Sequence, residues 1–127
     1  MRSKPHWGII AGWLGAPVSV IEFAGYRRRA IELLTAGQRD AVIDLVAYEP
    51  TCGDIIPGSG GLRKVRIGRD GIGKRGGTRV VYYFYNEDFP ILLLALYAKN
   101  EKSDLTTAEK REFAASMREI VRQWKEK

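Results

Sequence analysis

Two hydrophobic periods divide the chain. Residues 18–23 (VSVIEF) are β-branched and largely apolar, which predicts a first strand. Residues 25–34 carry Ala30, Ile31 and Leu34 at helical spacing, with Arg27, Arg28 and Arg29 turned mostly outward. Thr35-Ala-Gly-Gln38 reads as a capping box, because the Thr35 hydroxyl and the Gln38 amide can each satisfy the other's orphan backbone N–H. The helix it opens runs to about Tyr48, buries Val42, Leu45 and Val46, and is stopped by Pro50. Two helices joined so tightly form an αα-hairpin.

After the loop at 57–61 (PGSGG) the period becomes two. In LRKVRI (62–67), Leu62, Lys64 and Arg66 share one face, and Arg63, Val65 and Ile67 the other. TRVVYYFY (78–85) is apolar or aromatic on both faces beyond its start, as a central strand requires. ILLLALYA (91–98) is a second buried strand, and the short turn at 86–90 makes the two an antiparallel hairpin. Thr106 and Glu109 form another capping box, opening a helix to about Trp124 whose stripe of Phe113, Met117, Ile120, Val121 and Trp124 suits packing on a sheet. The predicted order is β-α-α-β-β-β-α. It describes an α+β fold whose mainly antiparallel sheet is packed by the αα-hairpin and the C-terminal helix.

With 127 residues, 45% of them hydrophobic, the chain suits one compact domain, placed at 18–127. Residues 1–17 read as an N-terminal arm, packed on the domain or left loose. Arg2 and Lys4 before WGIIAGWLG superficially resemble a signal peptide, but a small-residue cleavage pattern is missing. The run is also too short and too interrupted by Gly and Pro to span a bilayer. Cys52 is the only cysteine and His6 the only histidine, which suits the cytoplasm and argues against a catalytic triad, a Cys-His pair or a zinc site. No metal or cofactor is expected. Catalysis would fall to Lys, Arg, Tyr and carboxylates.

The net charge of +6 makes an anionic partner reasonable. The stretch GRDGIGKRGG (68–77) fits both G-x-x-x-x-G-K and G-x-G-x-x-G, two phosphate-binding patterns. Both depend on a helix that follows and presents its N-terminus to phosphate. Here a strand follows, and Arg75 stands where a magnesium-binding Ser or Thr would be, so both patterns fail. What remains is a flexible basic loop between strands. Between positions 62 and 79, Arg63, Lys64, Arg66, Arg69, Lys74, Arg75 and Arg79 face only Asp70, so the excess in this hairpin equals that of the whole chain. Tyr82, Tyr83, Tyr85 and Tyr97 flank it, and cations with aromatics are what phosphate contacts plus base stacking require.

The segments GSGGLRKVRI, GIGKRGGTRVVYYFY and LLLALYAKNEKSDLT closely resemble the HigB-like branch of the RelE/ParE toxin superfamily, the toxins of type II toxin–antitoxin modules. The similarity spans roughly residues 18–124. It implies a RelE-like fold and a ribosome-dependent endoribonuclease that enters the A site and cuts mRNA, without a metal, by attack of a ribose 2′-OH on the adjacent phosphodiester. By position, Lys64 and Arg66 match a basic pair on the strand before the loop, and Arg79 matches the arginine taken to stabilise the transition-state phosphate. Lys64 is a candidate general base, with Lys99 or Glu101 for the other proton transfer. Arg63, Arg69, Lys74, Arg75, Lys102 and Tyr83 are the expected RNA- or ribosome-binding residues. The chain departs from RelE at Asn100, where RelE has an arginine, and at Thr106, where RelE has a catalytic tyrosine. The resemblance also implies a cognate antitoxin, often a helix-turn-helix, HigA-like protein, and no membrane partner. Two alternatives stay open: a ParE-like gyrase inhibitor without catalysis, and a basic module that binds RNA without cutting it.

Overall fold

The structure, a computed structural model, describes residues 16–69, 73–102 and 104–126, with the backbone alone for 69 and 73–76. The elements run β1 (Val20–Glu22), α1 (Ala24–Leu33), α2 (Ala36–Tyr48), β2 (Asp54–Ile55), β3 (Leu62–Arg69), β4 (Gly73–Tyr83), β5 (Ile91–Ala98) and α3 (Thr107–Lys125). The strands form one sheet of order β1-β5-β4-β3-β2. The β1–β5 pair is parallel and the other three pairs are antiparallel, so the expected α+β class and mainly antiparallel sheet hold.

Each face of the sheet carries its own core. On one, Tyr26 and Ala30 of α1, Leu34 just past its end, and Val42 and Val46 of α2 cover Val80, Tyr82, Leu93 and Leu96. On the other, Met117 and Val121 of α3 cover Val81, Tyr83, Leu92, Leu94 and Tyr97, with Phe113, Ile120 and Trp124 packed at the margin. That is the stripe the helical period marked. Both capping boxes form: the Thr35 hydroxyl accepts from the Gln38 N–H, and the Thr106 hydroxyl from the Glu109 N–H. No helix among the described residues is long and apolar enough to cross a membrane.

Several expectations change. Ala30 and Leu34 are buried as expected, but Ile31 is 56% exposed and Tyr26 turns inward in its place, and Leu45 is only half-buried. The first strand shortens to Val20–Glu22. A two-residue strand, β2, forms in what the sequence presents as loop, because Asp54 and Ile55 pair with Lys64 and Arg63. Gly53, just before it, donates its N–H to the Tyr82 hydroxyl at 2.8 Å. A Cβ there would come within 2.8 Å of the Tyr82 ring and 2.9 Å of the Lys64 carbonyl oxygen, so only glycine fits without a shift. The largest change concerns 68–77. Strand β3 continues to Arg69 and β4 starts at Gly73, with Arg69 opposite Gly73 and a register shift between Ile67 and Arg69. Most of the expected loop therefore belongs to the two strands. Residues 1–15, which hold most of the expected N-terminal arm, lie outside the described residues.

Candidate functional site

Strand alternation decides which cations meet. Lys64 and Arg66 lie two apart on β3 and so share a face. Arg66 is directly opposite Arg79 on β4, and Arg79 directly opposite Tyr97 on β5. Opposed residues of an antiparallel pair point to the same face. Arg66, Arg79 and Tyr97 thus form a row across three strands, with Lys64 beside it. The row lies on the face covered by α3, at the end of the sheet opposite the Trp124 end of the helix.

The connector from β5 to α3 borders this row. Lys64 Nζ lies 3.3 Å from Asp104 Oδ2, so the crowding of cations around Lys64 is relieved by a carboxylate. Burial opposes ionisation of Asp104, but the Leu105 N–H and the Lys64 ammonium outweigh it and hold the carboxyl below its ordinary value. Lys102 places its ammonium 2.8 Å from both carboxylate oxygens of Glu109 and 5.4 Å from the centre of the Tyr97 ring. Tyr97 itself is 4% exposed. Burial raises the pKa of its phenol, Asp104 adds to that, and the Arg79 guanidinium partly offsets it. A cleft of about 350 Å³ opens alongside, bounded by Arg29 of α1, Tyr97, Glu101, Lys102, Glu109 and Phe113.

Glu101, one of the two residues expected to serve the second proton transfer, has partners within the fold. Its carboxylate accepts the Ala98 N–H at 3.0 Å and pairs with Arg29 of α1. Those two partners, the backbone N–H first, hold its pKa below the ordinary glutamate value, so at neutral pH it is an anion with no proton to give. Lys99 is exposed on the same connector.

Two of the expected binding residues are elsewhere. Arg63 belongs to the opposite face by alternation, where its Nη1 donates to the Gly53 carbonyl at 2.7 Å. Tyr83 is 9% exposed beneath α3, with its ring in the core. None of the four flanking tyrosines offers a free ring. Tyr82 is fully buried on the far face and donates to the Pro50 carbonyl at 2.7 Å. Tyr85 is held edge-on by Phe89 and Trp124 at 6.0 and 6.3 Å. The aromatic count was visible in the sequence, but these side chains were recruited by two cores. The side chains of Arg69, Lys74 and Arg75 lie outside the described residues. Sequence reasoning left Asp104 out, though its place three residues after Glu101 on the same connector was a usable signal. Among the described residues no group of three or more His, Cys, Asp or Glu side chains is arranged to hold a metal ion.

One comparison with known proteins bears on this face. The profile of a family described as "RelE toxin of RelE / RelB toxin-antitoxin system" matches residues 54–127. The match begins at the first residue of β2 and takes in β3, β4, β5 and α3, every element that carries the basic row and the carboxylates beside it. Covering more than half of the chain, it makes this protein a member of the RelE toxin family, the toxin of a toxin–antitoxin module with a cognate antitoxin as its partner.

Proposed function

We propose that this toxin, of the HigB-like branch, is a ribosome-dependent endoribonuclease that cuts mRNA in the A site. The observation that carries this reading is the row Arg66–Arg79, with Lys64 beside it, on a single sheet face. A phosphodiester undergoing attack by the neighbouring 2′-OH passes through a dianionic phosphorane. A guanidinium meets two of its oxygens in a fork, and preorganised cations favour that state over the singly charged ground state. In this reading Arg79 and Arg66 hold the phosphorane, Lys64 takes the 2′-OH proton as general base, and the exposed Lys99 gives a proton to the departing 5′-oxygen. The products are a cyclic phosphate and a 5′-OH, with no metal in the reaction. Lys102, Arg69, Lys74 and Arg75 serve binding to RNA and ribosome. Glu101, committed to Ala98 and Arg29, keeps the connector in place.

The test is charge reversal at the centre of the row. Arg79→Glu, expressed without antitoxin, is expected to lose growth arrest and to leave translated messages without new 5′-OH ends. A folded Arg79→Glu protein that still arrests growth and cuts mRNA would sink the assignment.

One observation favours a second reading. At Thr106, where RelE-type enzymes carry a tyrosine, this chain has a helix cap. A ParE-like gyrase inhibitor needs no such tyrosine. Induction that produces DNA damage and leaves mRNA intact would select it. The cognate antitoxin, in this proposal, is a HigA-like helix-turn-helix protein, and the short gene next to this one is expected to encode it.

A further inference from the structure

Two buried polar atoms on the α3 side of the sheet have no hydrogen-bond partner among the described residues: Nη1 of Arg79 and the hydroxyl of Tyr97. Buried polar groups are nearly always paired, so each orphan calls for an explanation. These two are neighbours. Arg79 and Tyr97 are directly opposed across the β4–β5 ladder, on the same face, with Arg66 next in the row. The other orphans, on Tyr26, Arg63 and Thr78, all belong to the opposite face and face no such row.

Both groups can donate. A guanidinium has only donors, and a phenol whose ionisation is opposed by burial and by the nearby Asp104 keeps its proton. Two unused donors side by side in a cationic setting are complementary to a tetrahedral oxyanion with two free oxygens. We propose that Tyr97 is a phosphate-contacting residue: its hydroxyl and Arg79 Nη1 bind the two non-bridging oxygens of one phosphate group. The identification of that phosphate with the scissile phosphodiester of RNA rests on the endoribonuclease reading above. The shared chemistry, a phosphate oxyanion, does not.

Tyr97 lies in the core beneath α3, 4% exposed, with Lys102 at its margin. Lys102 crosses its ring, tethered to Glu109 by an ion pair whose two side chains are 34% and 39% exposed. Pairs so exposed contribute little stability. A phosphate can therefore displace Glu109 from Lys102, and the released ammonium adds a further cation to the site.

Tyr97→Phe removes the hydroxyl and keeps the packed ring. The full-length protein, wild type and variants, is titrated with inorganic phosphate and separately with a 2′-O-methyl RNA trinucleotide that cannot be cut. Binding is followed by the NMR shifts of the arginine side chains, and melting curves establish that each variant is folded. Tyr97→Phe is expected to weaken both ligands about tenfold, as for loss of one hydrogen bond to a charged group. Adding Arg79→Gln should cost less than the two single changes combined, because the two groups share one ligand. Equal affinities in wild type and Tyr97→Phe overturn the proposal, as do fully additive effects or the absence of saturable phosphate binding. These titrations need no ribosome, so a wild-type protein that binds phosphate through both groups and cuts no mRNA would refute the nuclease reading alone.

Discussion

Asp104 is the residue that most changes the expected chemistry. The carboxylate 3.3 Å from Lys64 Nζ provides that lysine with a counter-ion among the arginines of the row. Asp104 then occupies ground that a substrate phosphate would claim. Asp104→Asn leaves Lys64 without that competitor, and the pair is exposed enough that its loss should cost at most about 1 kcal/mol of stability. The expected result is tighter binding of single-stranded RNA, with the slope of log K against log salt steeper by about 0.7, one additional phosphate contact. Anisotropy titrations across a salt series would measure it; an unchanged slope would mean that Lys64 does not meet phosphate. The β3 alternation made Lys64 and Arg66 legible as neighbours in the sequence. Nothing in the spacing of Asp104 told which of the nearby lysines it would meet, since that depends on how the connector folds back over the sheet.

The β5–α3 connector is the element on which the site depends, and carboxylates hold it at each step. Glu101 caps the Ala98 N–H and reaches Arg29, Asp104 meets Lys64, and Glu109 both closes the capping box and grips Lys102. All three carboxyls have pKa values lowered in the fold: Glu101 by the Ala98 N–H and Arg29, Glu109 by Lys102 and the Thr106 N–H, and Asp104 by Leu105 and Lys64 against its burial. A depressed carboxyl stabilises the fold fully above its unfolded value, about 4, and loses that contribution as pH falls through the folded value. Stability should therefore be level near neutrality and decline below about pH 4, with amide exchange rising first at Ala98 and Thr106. Exchange that rises uniformly over the sheet would contradict this. Thr106 lends itself to a simpler measurement. Thr106→Ala removes the acceptor for the Glu109 N–H and should lower unfolding free energy by about 1 kcal/mol in urea melts. The capping box was readable because it is a four-residue local pattern. The grip of Glu101 on Arg29 joins residues 72 apart and was not.

At the scale of the whole sheet, the described residues put Lys64, Arg66 and Arg79 on the α3 face and Arg63 with Tyr82 on the other. Tyr82 tests the face away from α3: its hydroxyl is held by Pro50 and Gly53, and burial raises its pKa further. Tyr82→Phe strands a buried carbonyl and N–H, so it should cost about 1–3 kcal/mol in denaturant unfolding while leaving RNA affinity unchanged at a temperature where the variant is folded. A loss of affinity equal to that of Arg79→Gln would show that the two faces are coupled. The sequence by itself determined the order of every element but the two-residue β2, both capping boxes, the apolar stripe of α3 and the sharing of one β3 face by Lys64 and Arg66. Each is set by local periodicity or by side chains within one helical turn of the backbone groups they satisfy. Tertiary structure decided the rest. The pairing of Arg69 with Gly73 turned a glycine-rich loop into strand, because two backbones side by side can bond whatever their side chains are. The burial of the tyrosines followed from which strand each belongs to and which helix lies over it. The row of Arg66, Arg79 and Tyr97 exists only through the register between three strands, which is fixed by the fit of both cores.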